Sequence, residues 1–302
     1  MRHHWGLIGA PSSAGAHTPG LERGPAALRE AGLPALLRAG GAALHDHGDV
    51  PGFRWRPDPA HPHAQNASVV ARVARDVAGK VRGAVADGHV PFVLGGDCTI
   101  TLGLVAGRTL AGRTLAGEAP ALVYVDGGPD LYTPATRPNG NLDAMGLAHM
   151  LALPATVPEI VDVGPRTPLL TADRVVVYGD SLPTGDHERD LVEELGITYV
   201  PASEVRADPG AAAARARTVA EAAAPAFLVH LDVDVLAFVG APLADVPEPF
   251  GLTLEEVATT LATLVASPRF AGLALTEVNP DHVPDPGTLR DFVEILATAL
   301  TG

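Results

Sequence analysis

The chain has 302 residues, of which 47% are hydrophobic but only 4% aromatic, so aliphatic side chains must fill the core of a large α/β fold. A formal net charge of -14 gives a surface that repels phosphate backbones and argues against nucleic acid as a partner. The lone cysteine, Cys98, excludes an intramolecular disulfide and fits a reducing cytoplasm, and no run approaches the roughly 20 apolar residues of a membrane span.

The N-terminal segment 1–9 carries a short apolar run that stops at Gly9 and Pro11, which predicts a first strand and not a signal sequence. The Pro/Gly-rich stretch 48–62 reads as a surface loop, because too little chain precedes it to form a domain. Apolar runs at 91–94, 121–125, 174–178, 226–231 and 272–275 predict strands hydrophobic on both faces, as in the centre of a parallel sheet. Between and after them, segments 66–86, 209–223, 253–266 and 287–300 have helical period. Thr253 with Glu256 three residues on has the pattern of a capping box. This β-helix-β rhythm predicts a three-layer α/β/α architecture around a central parallel sheet, organised as one domain over residues 1–302.

Ligands of such sheets bind beyond the carboxyl ends of the strands, so the residues that follow each strand are the ones to read. After 91–94 comes Gly95-Gly96-Asp97-Cys98-Thr99, which is either a tight turn with an inert buried thiol or a presented ligand. After 121–125 comes Asp126-Gly127-Gly128-Pro129-Asp130, which is either an Asx-type turn or a carboxylate pair that needs a cation between its members. His230-Leu231-Asp232-Val233-Asp234 is the sharpest signal. Asp-x-Asp on a strand aims both carboxylates to one side, and buried there they cost several kcal/mol each unless paired or bound to metal. Glu277, in Thr276-Glu277-Val278-Asn279-Pro280, suits a cationic substrate group or a loop cap. His230 reads as a residue that supports these aspartates or packs within the strand, and His149 as a core or interhelical residue.

Taken in order, these segments resemble the ureohydrolase family of arginases, agmatinases and their relatives, and the similarity runs nearly end to end. Gly95-Gly96-Asp97-Cys98-Thr99 is similar to the family's Gly-Gly-Asp-His-Ser. Asp126-Gly127-Gly128-Pro129-Asp130 is similar to Asp-Ala-His-x-Asp, Asp232-Val233-Asp234 with Ala241-Pro242 to Ser-x-Asp-x-Asp with its Ala-Pro, and Glu277-Val278-Asn279-Pro280 to Glu-Val-Asn-Pro. The resemblance implies a homo-oligomeric hydrolase of guanidino or amide-type C–N bonds, with a manganese pair that generates the nucleophile and stabilises transition-state charge. A metal-poor, non-catalytic or biosynthetic descendant of the fold is the alternative.

The family's six metal ligands are two histidines and four aspartates. Asp126, Asp130, Asp232 and Asp234 match, but Cys98 and Gly128 stand where the histidines belong. The resemblance therefore implies one site of Cys98, Asp126, Asp130 and Asp232, and a second left with Asp126, Asp232 and Asp234. Thiolate at Cys98 favours zinc or iron over manganese, and a centre that holds no metal is the alternative. Asp143 aligns with the family's proton-shuttling histidine, where an ordinary carboxyl pKa of about 4 is too low for a general acid at neutral pH. Asp130, Asp143 and Glu277 are thus the catalytic candidates. Tyr132, Arg137, Asn139, Asn141 and Glu277 are the candidates for substrate binding, with Arg137 suited to an acidic substrate group.

Overall fold

The computed structural model describes residues 3–112 and 119–302; Met1 and Arg2, at the head of the first predicted strand, lie outside the described residues. Its strands are β1 (His4–Gly9), β2 (Ala43–Asp49), β3 (Val90–Leu94), β4 (Ala121–Val125), β5 (Val175–Tyr178), β6 (Thr198–Val200), β7 (Phe227–Asp232) and β8 (Phe270–Thr276). They form one sheet in the order β2-β1-β3-β8-β7-β4-β5-β6, with every pairing parallel.

The helices are α1 (Gly24–Glu30), α2 (Leu33–Ala39), α3 (Ala67–Ala86), α4 (Ile100–Gly112), α5 (Gly146–Met150), α6 (Pro158–Val161), α7 (His187–Glu194), α8 (Ala202–Ala207), α9 (Pro209–Ala223), α10 (Leu254–Val265) and α11 (Pro286–Thr301). Alternate strand residues feed two cores. Trp5, Phe92, Val123 and Leu231 pack with Leu37 of α2, Ala216 of α9, Leu261 of α10 and Phe292 of α11. Their neighbours Ile8, Val93, Leu122 and Leu228 pack on the other face with Val77 of α3 and Leu104 of α4. Burial on both faces is why the central strands read as continuous apolar runs.

At α10 the capping box is formed as expected, with Glu256 N donating to Thr253 Oγ1 at 3.2 Å and Thr253 N donating to Glu256 Oε2 at 2.8 Å. The apolar runs miss β2 and β6, the two edge strands. Strand β2 reads ALHDHGD and is largely exposed, and β6 has only three residues. Residues 48 and 49, expected to open a surface loop, instead finish β2. The central strands β3, β8, β7 and β4 lie side by side, so the segments leaving their carboxyl ends converge.

Candidate metal centre

The exit from β3 is shaped by close backbone approach. A Cβ on Gly96 would overlap the carbonyl oxygen of Ser12, so only glycine fits there. Asp97 ties the turn together: its carboxylate accepts from Gly15 N at 3.0 Å, from Thr99 N at 3.1 Å and from the Thr99 hydroxyl. Burial lifts its pKa to about 6. Cys98 is thereby delivered, buried, just ahead of α4, and its backbone N–H donates to Asp143 Oδ1 at 2.6 Å.

After β4, Asp126 does two things. Its Oδ1 accepts from Gly128 N at 2.7 Å, closing an Asx turn, while its Oδ2 lies 3.1 Å from His230 Nε2. The Asx turn expected of this segment is formed, and it leaves Asp126 Oδ2 free to face the cleft. At β7, Asp232 is the last strand residue, and its Oδ1 caps a single 3-10 turn by accepting from Asp234 N at 2.7 Å. Asp234 Oδ1 in turn accepts from Gly127 N at 3.0 Å. Asp232 and Asp234 are therefore brought to one cleft by this turn and not by strand alternation, because the strand has ended before Asp234.

His230 is the residue whose importance the sequence understates. It lies two positions before Asp232 in β7, so the pleat sends both side chains the same way. Its buried ring stacks on Tyr124 at 3.9 Å with an interplanar angle of 11°. Nδ1 is 2.7 Å from Thr101 Oγ1, and Nε2 is 3.7 Å from Cys98 Sγ. The Cys98 thiol itself donates to Asp232 Oδ2 at 2.7 Å. Cys98, Asp126, His230 and Asp232 each contribute one donor atom, all within 4.8 Å of one another. His230 thus takes the place in this group that was expected of Asp130. Asp130 is held at a φ of 52°, and its Oδ2 accepts the Tyr124 hydroxyl instead.

The carboxyl pKa values of Asp126, Asp130 and Asp232 are pushed well up, first by burial and then by one another and by their acidic neighbours. Burial also drives the Cys98 thiol well above its ordinary range. A cation held here would relieve both penalties, replacing the thiol proton and neutralising the carboxylates. The set of one sulfur, one imidazole nitrogen and two carboxylates fits one divalent ion, of the kind that zinc or ferrous iron represents. Thr101 Oγ1 is then the partner that orients the imidazole through Nδ1. Among the described residues, Asp234 belongs to no group of three or more such donors. Across from it, a Cβ on Gly128 would touch only Glu188 Oε2, at 4.0 Å.

The remaining candidates divide. Arg137, Asn141, Asp143, Glu188, Glu248 and Glu277 line a cleft of about 150 Å³ with the centre at its floor. Tyr132 and Asn139 do not line it. Tyr132 carries the Arg137 guanidinium over its ring at 5.0 Å, and exposed Asn139 accepts from Asn141 N at 3.1 Å to shape the loop. Burial, then Asp97, lifts the Asp143 pKa to about 7, well above the usual carboxyl value expected from sequence. Asp143 is hydrogen-bonded to Glu277, which has a φ of 66° and a buried Oε1 with no partner among the described residues. Glu188 was absent from the sequence candidates, because it lies in the polar helix α7 and looks solvated. In fact it is buried, its Oε1 accepts from Leu131 N at 2.7 Å, and burial lifts its pKa to about 8.

The sequence profile of the arginase family matches residues 3–301. Arginase-1 of Oryctolagus cuniculus is 30% identical over 305 residues, covering 98% of this chain and 91% of the relative. Arginase-1 of Homo sapiens is 29% identical over 286 residues, covering 91% of this chain and 84% of its own length. The solved arginase of Bacillus caldovelox superposes with a TM-score of 0.88 at 27% identity, over 99% of this chain and 98% of that one. Among the described residues, no helix is long and apolar enough to cross a membrane.

Proposed function

Because the chain belongs to the arginase family, we propose that it hydrolyses a guanidino or related amidine-type C–N bond with a single-ion centre in place of a pair. The observation that supports this reading is His230: an imidazole from β7 joins Cys98, Asp126 and Asp232, where the loops after β3 and β4 offer none. These four residues would hold the ion, with zinc or ferrous iron favoured over manganese by the thiolate and imidazole donors. When bound, such an ion supplies the charge that acidifies water near neutral pH and offsets negative charge in the transition state.

The chain's own groups complete the chemistry. Glu277 Oε1, buried and without a partner among the described residues, would accept the N–H of a cationic amidine head. Asp143, hydrogen-bonded to Glu277, exchanges a proton with the departing nitrogen. Asp130, oriented by Tyr124, receives the proton given up by the attacking water. Arg137 on the cleft wall fits an acidic group at the far end of the substrate, and Glu188, which also lines the cleft, fits an ammonium. The small cleft admits a small molecule and not a polymer.

A release assay tests the proposal, following urea, ammonia or formamide from arginine, agmatine, guanidinobutyrate and formimino compounds after loading with zinc, ferrous iron or manganese. Turnover of at least one compound, abolished by Glu277→Gln, is expected. No release from any of them with metal bound would defeat the hydrolase reading. Gly128 favours a second reading, in which the fold binds such a ligand without cleaving it. Saturable binding with no product identifies that case.

A further inference from the structure

A cluster of imidazoles lies at the other end of the strands. His4 and His89 flank the amino ends of β1 and β3, and His45 and His47 belong to the edge strand β2. The rings of His4 and His89 are 4.2 Å apart, those of His45 and His47 4.7 Å, and those of His45 and His89 5.3 Å. His47 Nε2 and His89 Nδ1 are separated by 2.9 Å, and with the Asp87 carboxylate their donor atoms all lie within 4.8 Å of one another. Gly6 makes room for them: a Cβ on it would come within 3.0 Å of His89 Cβ and 3.1 Å of His47 Nε2. Four imidazoles gathered on a surface repel once protonated, so their convergence needs another source of stability. Burial and the neighbouring rings lower the pKa of His47 and of His89 from the usual imidazole value.

We propose that His47, Asp87 and His89 form a second divalent-metal site, with water as its fourth ligand, for imidazole-preferring ions such as zinc, nickel or copper. In the metal-free protein one of the two facing ring nitrogens donates to the other; on binding, that proton moves to the other nitrogen of its own ring and the ion takes its place. Bonds of about 2.0–2.1 Å to each nitrogen then require the rings to part by only a few tenths of an ångström, which half-exposed side chains allow. Asp87 supplies the negative charge, while the nearby Lys80 ammonium is engaged by the His47 carbonyl at 2.6 Å. The site ties the edge strand β2 to the α3–β3 turn. It is separate from the acidic cleft, since Cys98 follows the carboxyl end of β3 and His89 precedes its amino end. An ion bound only by the folded chain raises its stability.

Zinc binding to chelator-stripped protein carrying Cys98→Ser, Asp126→Asn and Asp232→Asn, which break both donor groups of the cleft, reads this site alone. About one zinc per chain and a raised melting temperature are expected. Adding His47→Gln and His89→Gln should remove both, with an unchanged circular dichroism spectrum showing that the fold is intact. In protein with an intact cleft, the same two glutamines should lower bound zinc by one equivalent and leave the cleft's share. Zinc uptake that the glutamines do not alter, in either background, overturns the proposal, as does no uptake in the first. Failure of the hydrolase assay leaves this result untouched.

Discussion

His230 Nε2 lies 3.1 Å from Asp126 Oδ2, so a strand residue of β7 brings an imidazole to the carboxylate that leaves β4. If that nitrogen is a ligand, His230→Ala should lower metal affinity by at least about tenfold. Metal retained after dialysis, counted by elemental analysis, checks this. Retention equal to the parent would make His230 a packing residue.

Gly128 is open space in the cleft wall. An introduced side chain meets only Glu188 Oε2, at 4.0 Å, and the residue is not among those at positive φ. Gly128→His should therefore fold with stability within about 1 kcal/mol of the parent and bind an additional metal equivalent. Urea denaturation and elemental analysis together read the result; a variant that folds but gains no metal would show that a lost imidazole is not what limits the second position.

Gly96 presents the opposite case. Its Cβ position is occupied by the Ser12 carbonyl oxygen, so Gly96→Ala should destabilise the protein by about 1–3 kcal/mol. Because the same turn presents Cys98, the shift in urea midpoint should be accompanied by weaker metal binding.

His149 makes stability depend on pH. Nδ1 donates to Met145 O at 2.7 Å and Nε2 accepts from Val157 N at 3.1 Å, so a proton on Nε2 would face another donor. Burial lowers its pKa from 6.5 to about 4. Between those values the unfolded chain holds the proton and the folded chain does not, so this contribution to stability is present above pH 6.5 and is lost as pH falls through about 4. The loss amounts to about 3 kcal/mol. Relative to the parent, His149→Gln should lose less stability between neutral and acidic pH, measured as urea midpoints across that window; parallel curves would contradict it.

Much of this was legible in the chain itself. The central strands are apolar because they are buried on both faces, and the acids at their ends, Cys98, Asp126, Asp232 and Glu277, converge because parallel strands end together. Four things were not legible, each for a physical reason. Strand β2 is polar because it is an edge, and β6 is too short to leave a pattern. Glu188 is buried by the loop at Leu131, a contact 57 residues distant in sequence. His230 looks like strand filling until Thr101, Tyr124 and Asp126 from other elements close around it.

If Cys98, Asp126, His230 and Asp232 hold one ion, cobalt substitution reads it most directly. Cys98 is the lone cysteine, so a thiolate-to-cobalt charge-transfer band in the near ultraviolet can arise at no other place in the protein. Cobalt-loaded protein should show that band, lose it in Cys98→Ser and lose most of it in His230→Ala. Cobalt bound without the band, or a band indifferent to His230, would contradict the assignment.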